Sequence, residues 1–203
     1  MLILWLGVIA AAIAFLFWRN EWKYSLPTPV PKDYHAVNTG AYINIKNIPD
    51  LAGGSKPLFL HFFNPDCPCS RFNITHFKSL VKEYGKEINF AVVVLNKDVG
   101  KVQDIQNRFD LTIPVLFDSS IAVACGVYST PQAALISKDH RLYYRGNYNK
   151  NRYCTDKNSN YAQMAIDSLL HRSNQPFLGL AATKSYGCEL PACKKEEAKS
   201  YIP

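Results

Sequence analysis

The chain has 203 residues, 48% hydrophobic and 13% aromatic, which excludes a disordered tail and leaves one domain with room for a small appendage. Charged residues are only 19%, against roughly 25% in ordinary soluble domains, so part of the chain is expected to face lipid. The formal charge of +7 is spread along the sequence, and its densest group (Lys194, Lys195, Lys199) is broken by Glu196 and Glu197, which argues against a nucleic-acid partner.

In chain order, the first element is an apolar run from Leu2 to Trp18 without a charged residue. As a helix it reaches roughly 25 Å, slightly short of a bilayer core. Trp18 and Trp22 suit an interfacial belt, and Arg19 and Lys23 can extend to the headgroups. No Lys or Arg precedes the run and no small-x-small site follows it, so an uncleaved single-span anchor over residues 1–19 is expected rather than a cleaved signal peptide. Residues 20–40 form a Pro-rich linker in which Leu26 to Pro31 reads as a stiff spacer.

Pro57 to Phe63 is a continuous apolar run, as in a central strand buried on both faces. Asn64-Pro65-Asp66 leads into Cys67-Pro68-Cys69-Ser70 and an amphipathic helix that carries Phe72, Phe77, Leu80, Val81 and Tyr84 and stops at Gly85. Ile88 to Leu95 reads as a second buried strand, Val99 to Phe109 as a helix, Val115 to Phe117 as a short strand, and Ile121 to Val127 as a helical turn. Thr130-Pro131 opens a strand over Gln132 to Ile136, which turns at Asp139-His140 and pairs with Leu142 to Arg145. A helix from Ser159 to His171 follows. Residues 173–203 form a loop-rich tail with Cys188 and Cys193.

This order, with a cysteine motif at the first strand-to-helix turn and Thr-Pro before the hairpin, resembles the thioredoxin superfamily. The likeness is to membrane-tethered, extracytoplasmic members of the TlpA and ResA kind. It is carried by Phe62-Phe63-Asn64-Pro65-Asp66-Cys67 and by Gly126-Val127-Tyr128-Ser129-Thr130-Pro131-Gln132-Ala133. It implies an α/β thioredoxin-like fold over residues 41–172, a mixed central sheet flanked by helices, and a cis Pro131 whose preceding residue, Thr130, pairs with an extended substrate strand. The family's Cys-x-x-Cys is altered here: Ser70 stands at the second cysteine position and Cys69 is additional.

Cys67 falls at the N-cap of a helix with Pro68 at its first position, where free N–H groups and the helix dipole stabilise a thiolate. Cys67 is therefore the expected nucleophile. Two partners remain open, Cys69 through a short strained ring and Cys154, which follows a strand that ends at the same sheet edge as Cys67. Asp66 is a proton relay or a turn cap, and Arg71 a thiolate stabiliser or an exposed helix residue. Cys188 and Cys193 suit a structural disulfide closing a loop, with a second redox pair as the alternative. Cys125 reads as a buried free thiol and His61 as a core histidine. His76 is ambiguous, and the sequon at Asn73 lies inside a helix. Disulfides point to an oxidising compartment, hence a domain in the periplasm or outside the cell, held on the cytoplasmic (inner) membrane through residues 2–18.

Three functions fit. The first is a membrane-anchored thiol–disulfide oxidoreductase, without a cofactor, that acts on extracytoplasmic proteins with thiols or disulfides and exchanges electrons with a membrane redox partner. The second, resembling SCO-type assembly factors, is a Cu(I) carrier using Cys-x-Cys thiolates. The third is a redox-inert docking domain of the same fold.

Overall fold

The computed structural model describes residues 1–22, 25–44, 55–96, 100–171 and 178–190. A five-stranded mixed sheet lies at the centre, in the order β3 (Val115–Leu116), β2 (Asn89–Val94), β1 (Leu58–Phe63), β5 (Gln132–Ile136), β6 (Leu142–Gly146). β1 pairs in parallel with β2, from Leu58↔Asn89 to Phe63↔Val94, and antiparallel with β5, from Leu58↔Ile136 to Phe62↔Gln132.

β1 is buried along its whole length because both faces of the sheet are covered. Phe59 and Phe63 share one core with Phe77 and Leu80 of α2 (Pro68–Tyr84), Ile105 of α3 (Val102–Phe109) and Ile166 of α5 (Tyr161–Leu170). Leu58, Leu60 and Phe62 share the other with Ile121, Ala122 and Cys125 of α4 (Ser120–Cys125). Each of these large side chains contributes roughly 1.5–3 kcal/mol by leaving water. This is the α/β thioredoxin-like fold with flanking helices that the resemblance implies.

The parallel β1–β2 pair requires a crossover, which α2 supplies, so the start of α2 sits at the C-terminal edge of β1. The antiparallel β5 begins at that same edge. Pro131 therefore lands beside the helix start. β6 runs parallel to β1 and delivers the segment from Asn147 onward, with Cys154, to that edge too.

Several elements differ from expectation. α1 (Leu2–Phe17) has 16 residues, none buried, and is followed by a π-helical turn over Trp18–Trp22. Among the described residues no helix is long and apolar enough to cross a membrane, so the bilayer-crossing helix expected over residues 2–18 is not found. The regular helix stops where the polar Arg19 and Glu21 begin, and Glu21 is held by Arg152 at 2.6 Å. The last long helix starts at Tyr161 rather than Ser159. A 3₁₀ turn over Lys157–Ser159 precedes it, its first amides satisfied by the Asp156 carboxylate (Asn158 N–H to Oδ1, 3.0 Å). The tail is structured over its described part, as α6 (Gly179–Thr183) and β7 (Cys188–Glu189), and β7 pairs with β4 (Ser129–Thr130).

Candidate functional site

Cys67 is the N-cap of α2, with extended backbone (φ −81°, ψ 122°) and Pro68 in the first helical turn. Its entry turn is fixed locally: Cys67 N–H donates to Asn64 O (3.0 Å), Asp66 N–H to Asn64 Oδ1 (3.0 Å), and Asn64 N–H to the buried Ser70 hydroxyl (3.3 Å). Asp66 is exposed and accepts the Asn96 amide at 2.8 Å, which makes it a turn residue here. Arg71 is also exposed.

Cys67 is joined to Cys188, with Cα atoms 6.1 Å apart across 121 residues of sequence. β7 carries Cys188 there by pairing antiparallel with β4, Thr130 opposite Cys188 and Ser129 opposite Glu189. The Thr130–Pro131 peptide is cis, as the resemblance implies. The Cys67 sulfur lies 3.6 Å from the Thr130 carbonyl oxygen. The tail is gripped from its other side as well: Thr28 N–H donates to Ser185 O (2.9 Å), Pro27 bridges to Tyr186, and the Gln132 amide donates to the Ser185 hydroxyl (2.6 Å). Gly187 has φ +130°, and a Cβ there would lie 2.3 Å from Thr130 O, so only glycine passes this point without a shift.

The expected Cys188–Cys193 pairing is corrected, and neither open partner of Cys67 is bonded to it. Cys188 bonds to Cys67, not to Cys193, because the β4–β7 ladder brings it to the helix start; Cys193 lies outside the described residues. Cys67 does not bond to Cys69, which is free. The Cys67 sulfur, carried on an extended N-cap residue, is already committed to Cys188.

Cys69 and Cys154 line one cavity of about 320 Å³ together with Asn73, Tyr148, Arg152 and Gly187. Burial pushes the Cys69 thiol up, and the Arg152 guanidinium on the same cavity wall opposes the shift. The Cys154 thiol is pushed up to about 11, mainly by burial, with the Asn73 amide donating to its sulfur at 3.0 Å. Cys154 thus reaches the neighbourhood of the motif without a bond to it. Cys125 is fully buried, its thiol pushed up to about 12 by desolvation, on the opposite face of the sheet from α2. His61 is a core residue stacked on Phe77 (4.4 Å between centroids) and bonded through Nδ1 to the Tyr148 hydroxyl (2.8 Å).

Three participants were missed from sequence: Cys188 as the partner of Cys67, Arg152, and the Pro27–Thr28 segment over the tail. Their one sequence signal is the free strand position before Pro131, which the Gly187-Cys188 pair fills.

The sheet order, the cysteine at the start of the first crossover helix and the cis Thr130–Pro131 peptide beside its sulfur define a thioredoxin-like fold with a disulfide at that helix start. Residues 39–192 match a family described as a domain of unknown function, DUF6436, and the chain belongs to it. A hypothetical protein from Sinorhizobium meliloti 1021 is similar in structure with a TM-score of 0.62 at 18% identity, covering 77% of this chain and 96% of its own. An uncharacterized conserved protein from Geobacillus kaustophilus has a TM-score of 0.61 at 17% identity, covering 80% and 97%. These two likenesses show the fold. StoA from Bacillus subtilis has a TM-score of 0.42 at 16% identity, over 55% of this chain and 89% of its own. No curated protein matches the sequence.

Proposed function

We propose that the chain is a thiol–disulfide oxidoreductase in which Cys67 attacks and Cys188 resolves. The observation that supports it is the Cys67–Cys188 bond, made between a helix N-cap and a strand paired to the residue before a cis proline. In the reduced protein, free N–H groups of the first turn of α2 stabilise the Cys67 thiolate. That thiolate attacks a substrate disulfide, one substrate sulfur leaves as a thiol, and a mixed disulfide with Cys67 forms. Cys188 then attacks the Cys67 sulfur, releases the second substrate thiol and restores the Cys67–Cys188 bond. Two electrons pass from protein to substrate, and the reverse sequence oxidises a dithiol.

Extracytoplasmic proteins with thiols or disulfides are the proposed substrates, a membrane redox partner the proposed electron exchanger, and the periplasm or cell exterior the proposed compartment, since disulfides persist there. The exposed apolar side chains of α1, from Leu2 to Phe17, are assigned to lipid contact. The test is to equilibrate the full chain with glutathione at set potentials and trap thiols. A Cys67–Cys188 pair that opens and closes reversibly supports the reading. A pair that never opens, or disulfide exchange that survives Cys67→Ser, overturns it.

One observation favours a second reading. The sulfurs of Cys67, Cys69 and Cys188 lie within 4.8 Å of one another, a soft donor set suited to Cu(I) once reduced. One-to-one Cu(I) binding by a reduced protein whose disulfide does not cycle would select it.

A further inference from the structure

Three sulfurs, not two, meet at the start of α2. The Sγ atoms of Cys67, Cys69 and Cys188 are mutually within 4.8 Å, while only two of them are joined. The oxidised cluster therefore holds one disulfide and one thiol. Cys69 differs from the bystander Cys125, which sits among apolar side chains. It lies in a cavity wall that the Arg152 guanidinium shares.

We propose that Cys69 exchanges with the Cys67–Cys188 bond inside the oxidised protein, so that the chain also catalyses disulfide isomerisation, with no net oxidation or reduction. This rests on the thiol–disulfide reading above. The Cys69 thiol gives up its proton to solvent and its thiolate attacks Sγ of Cys188. The Cys69–Cys188 bond forms, the Cys67–Cys188 bond breaks, and Cys67 leaves as a thiolate. The number of disulfides is unchanged. Attack on Cys188 rather than Cys67 follows from two facts. Cys67, at the helix N-terminus, is the better leaving group. A Cys67–Cys69 bond would have to close the short, strained ring of a Cys-x-Cys pair.

After the exchange Cys67 is a free nucleophile in a protein that has received no electrons. It attacks a wrongly paired substrate disulfide, and the substrate's liberated thiolate attacks a second disulfide in the same substrate. The resulting thiolate then displaces Cys67 from the mixed disulfide. Substrate and protein each end with as many disulfides as they began with, the substrate's rearranged. A site of two sulfurs has no nucleophile when oxidised, and when reduced it donates electrons. The third sulfur removes that conflict.

The test uses the full chain, oxidised to one Cys67–Cys188 bond, freed of oxidant and mixed with a scrambled multi-disulfide protein without reductant. Recovery of the native pairing is followed in time. In parallel, free thiols are alkylated and located by peptide fragmentation between Cys67 and Cys69. Expected are label on both Cys67 and Cys69, recovery with wild type, and its loss in Cys69→Ser and Cys69→Ala. Formation of the Cys67–Cys188 bond in both variants checks that they fold. Label confined to Cys69 overturns the proposal, as does isomerisation by oxidised Cys69→Ser at the wild-type rate. If reduced wild type transfers no electrons through Cys67, the underlying oxidoreductase reading fails instead.

Discussion

Thr130 and Cys188 stand opposite each other in the β4–β7 ladder, so the strand position before Pro131 is filled by the chain's own tail. In the proposed exchange this is the place from which a substrate would present its sulfur; here the tail's Cys188 occupies it, bonded to Cys67. A substrate strand proposed to pair with Thr130 would first need this bond to open and the tail to yield.

Cys188→Ser removes the resolving sulfur and leaves the nucleophile. With a disulfide-containing peptide, reduced Cys188→Ser is expected to accumulate a covalent Cys67–peptide adduct, visible as a mass increase on non-reducing analysis. Cys154→Ala is expected to release the peptide, because Cys67 pairs with Cys188 and Cys154 does not bond to the motif. Accumulation in Cys154→Ala but not in Cys188→Ser would reassign the resolving step to Cys154.

Gly187 has no room for a side chain where the tail passes β4. Gly187→Ala places a Cβ 2.3 Å from Thr130 O at a φ of +130°, which the pairing cannot absorb without separating. A cost of roughly 1–3 kcal/mol is expected, concentrated in the tail rather than in the sheet. The Cys67–Cys188 bond should then be reduced faster by dithiothreitol than in wild type. An unchanged reduction rate would show that the grip of β4 on the tail does not control access to the disulfide.

The contrast between sheet and tail also explains what was legible beforehand. Pro57–Phe63 and Ile88–Leu95 declare themselves because both faces of a central parallel strand are buried, leaving no polar alternation to confuse the pattern. Cys67 and Pro131 are legible because a helix N-cap and a Thr-Pro before a strand are local features. Cys188 is not local: its partner is 121 residues away, and Gly187-Cys188 reads as loop until β4 supplies the other half of the ladder. Arg152 escapes for the same reason, since its relation to Cys69 depends on β6 delivering residues 147–154 to the end of β1.

Arg152 and Glu21 should move the reactivity of Cys69 in opposite directions. Burial raises the Cys69 thiol, Arg152 opposes that by charge and hydrogen bond, and Glu21 adds to it. Arg152→Gln is expected to push the thiol higher still, slowing Cys69 alkylation several-fold at neutral pH and displacing its pH profile upward. Glu21→Gln is expected to displace the profile downward. Shifts of the same sign in both variants would mean that the electrostatic balance at Cys69 is not set by this pair.

The central strand β1 carries a pH dependence of folding, through the buried His61. Complete burial lowers its imidazole from the usual 6.5 to about 3, so the folded protein keeps it neutral. Between those values the unfolded chain binds a proton that the folded chain refuses, and stability must fall as pH falls from about 6.5 toward 3, by at most about 1.4 kcal/mol per pH unit. Above 6.5 both states are neutral and His61 contributes no slope. His61→Gln removes the titration while keeping an acceptor for the Tyr148 hydroxyl. Denaturant unfolding at pH 7 and pH 5 should show wild type losing about 1–2 kcal/mol more than His61→Gln over that interval. Equal losses in the two proteins would mean that the imidazole is protonated, or reached by water, in the folded state.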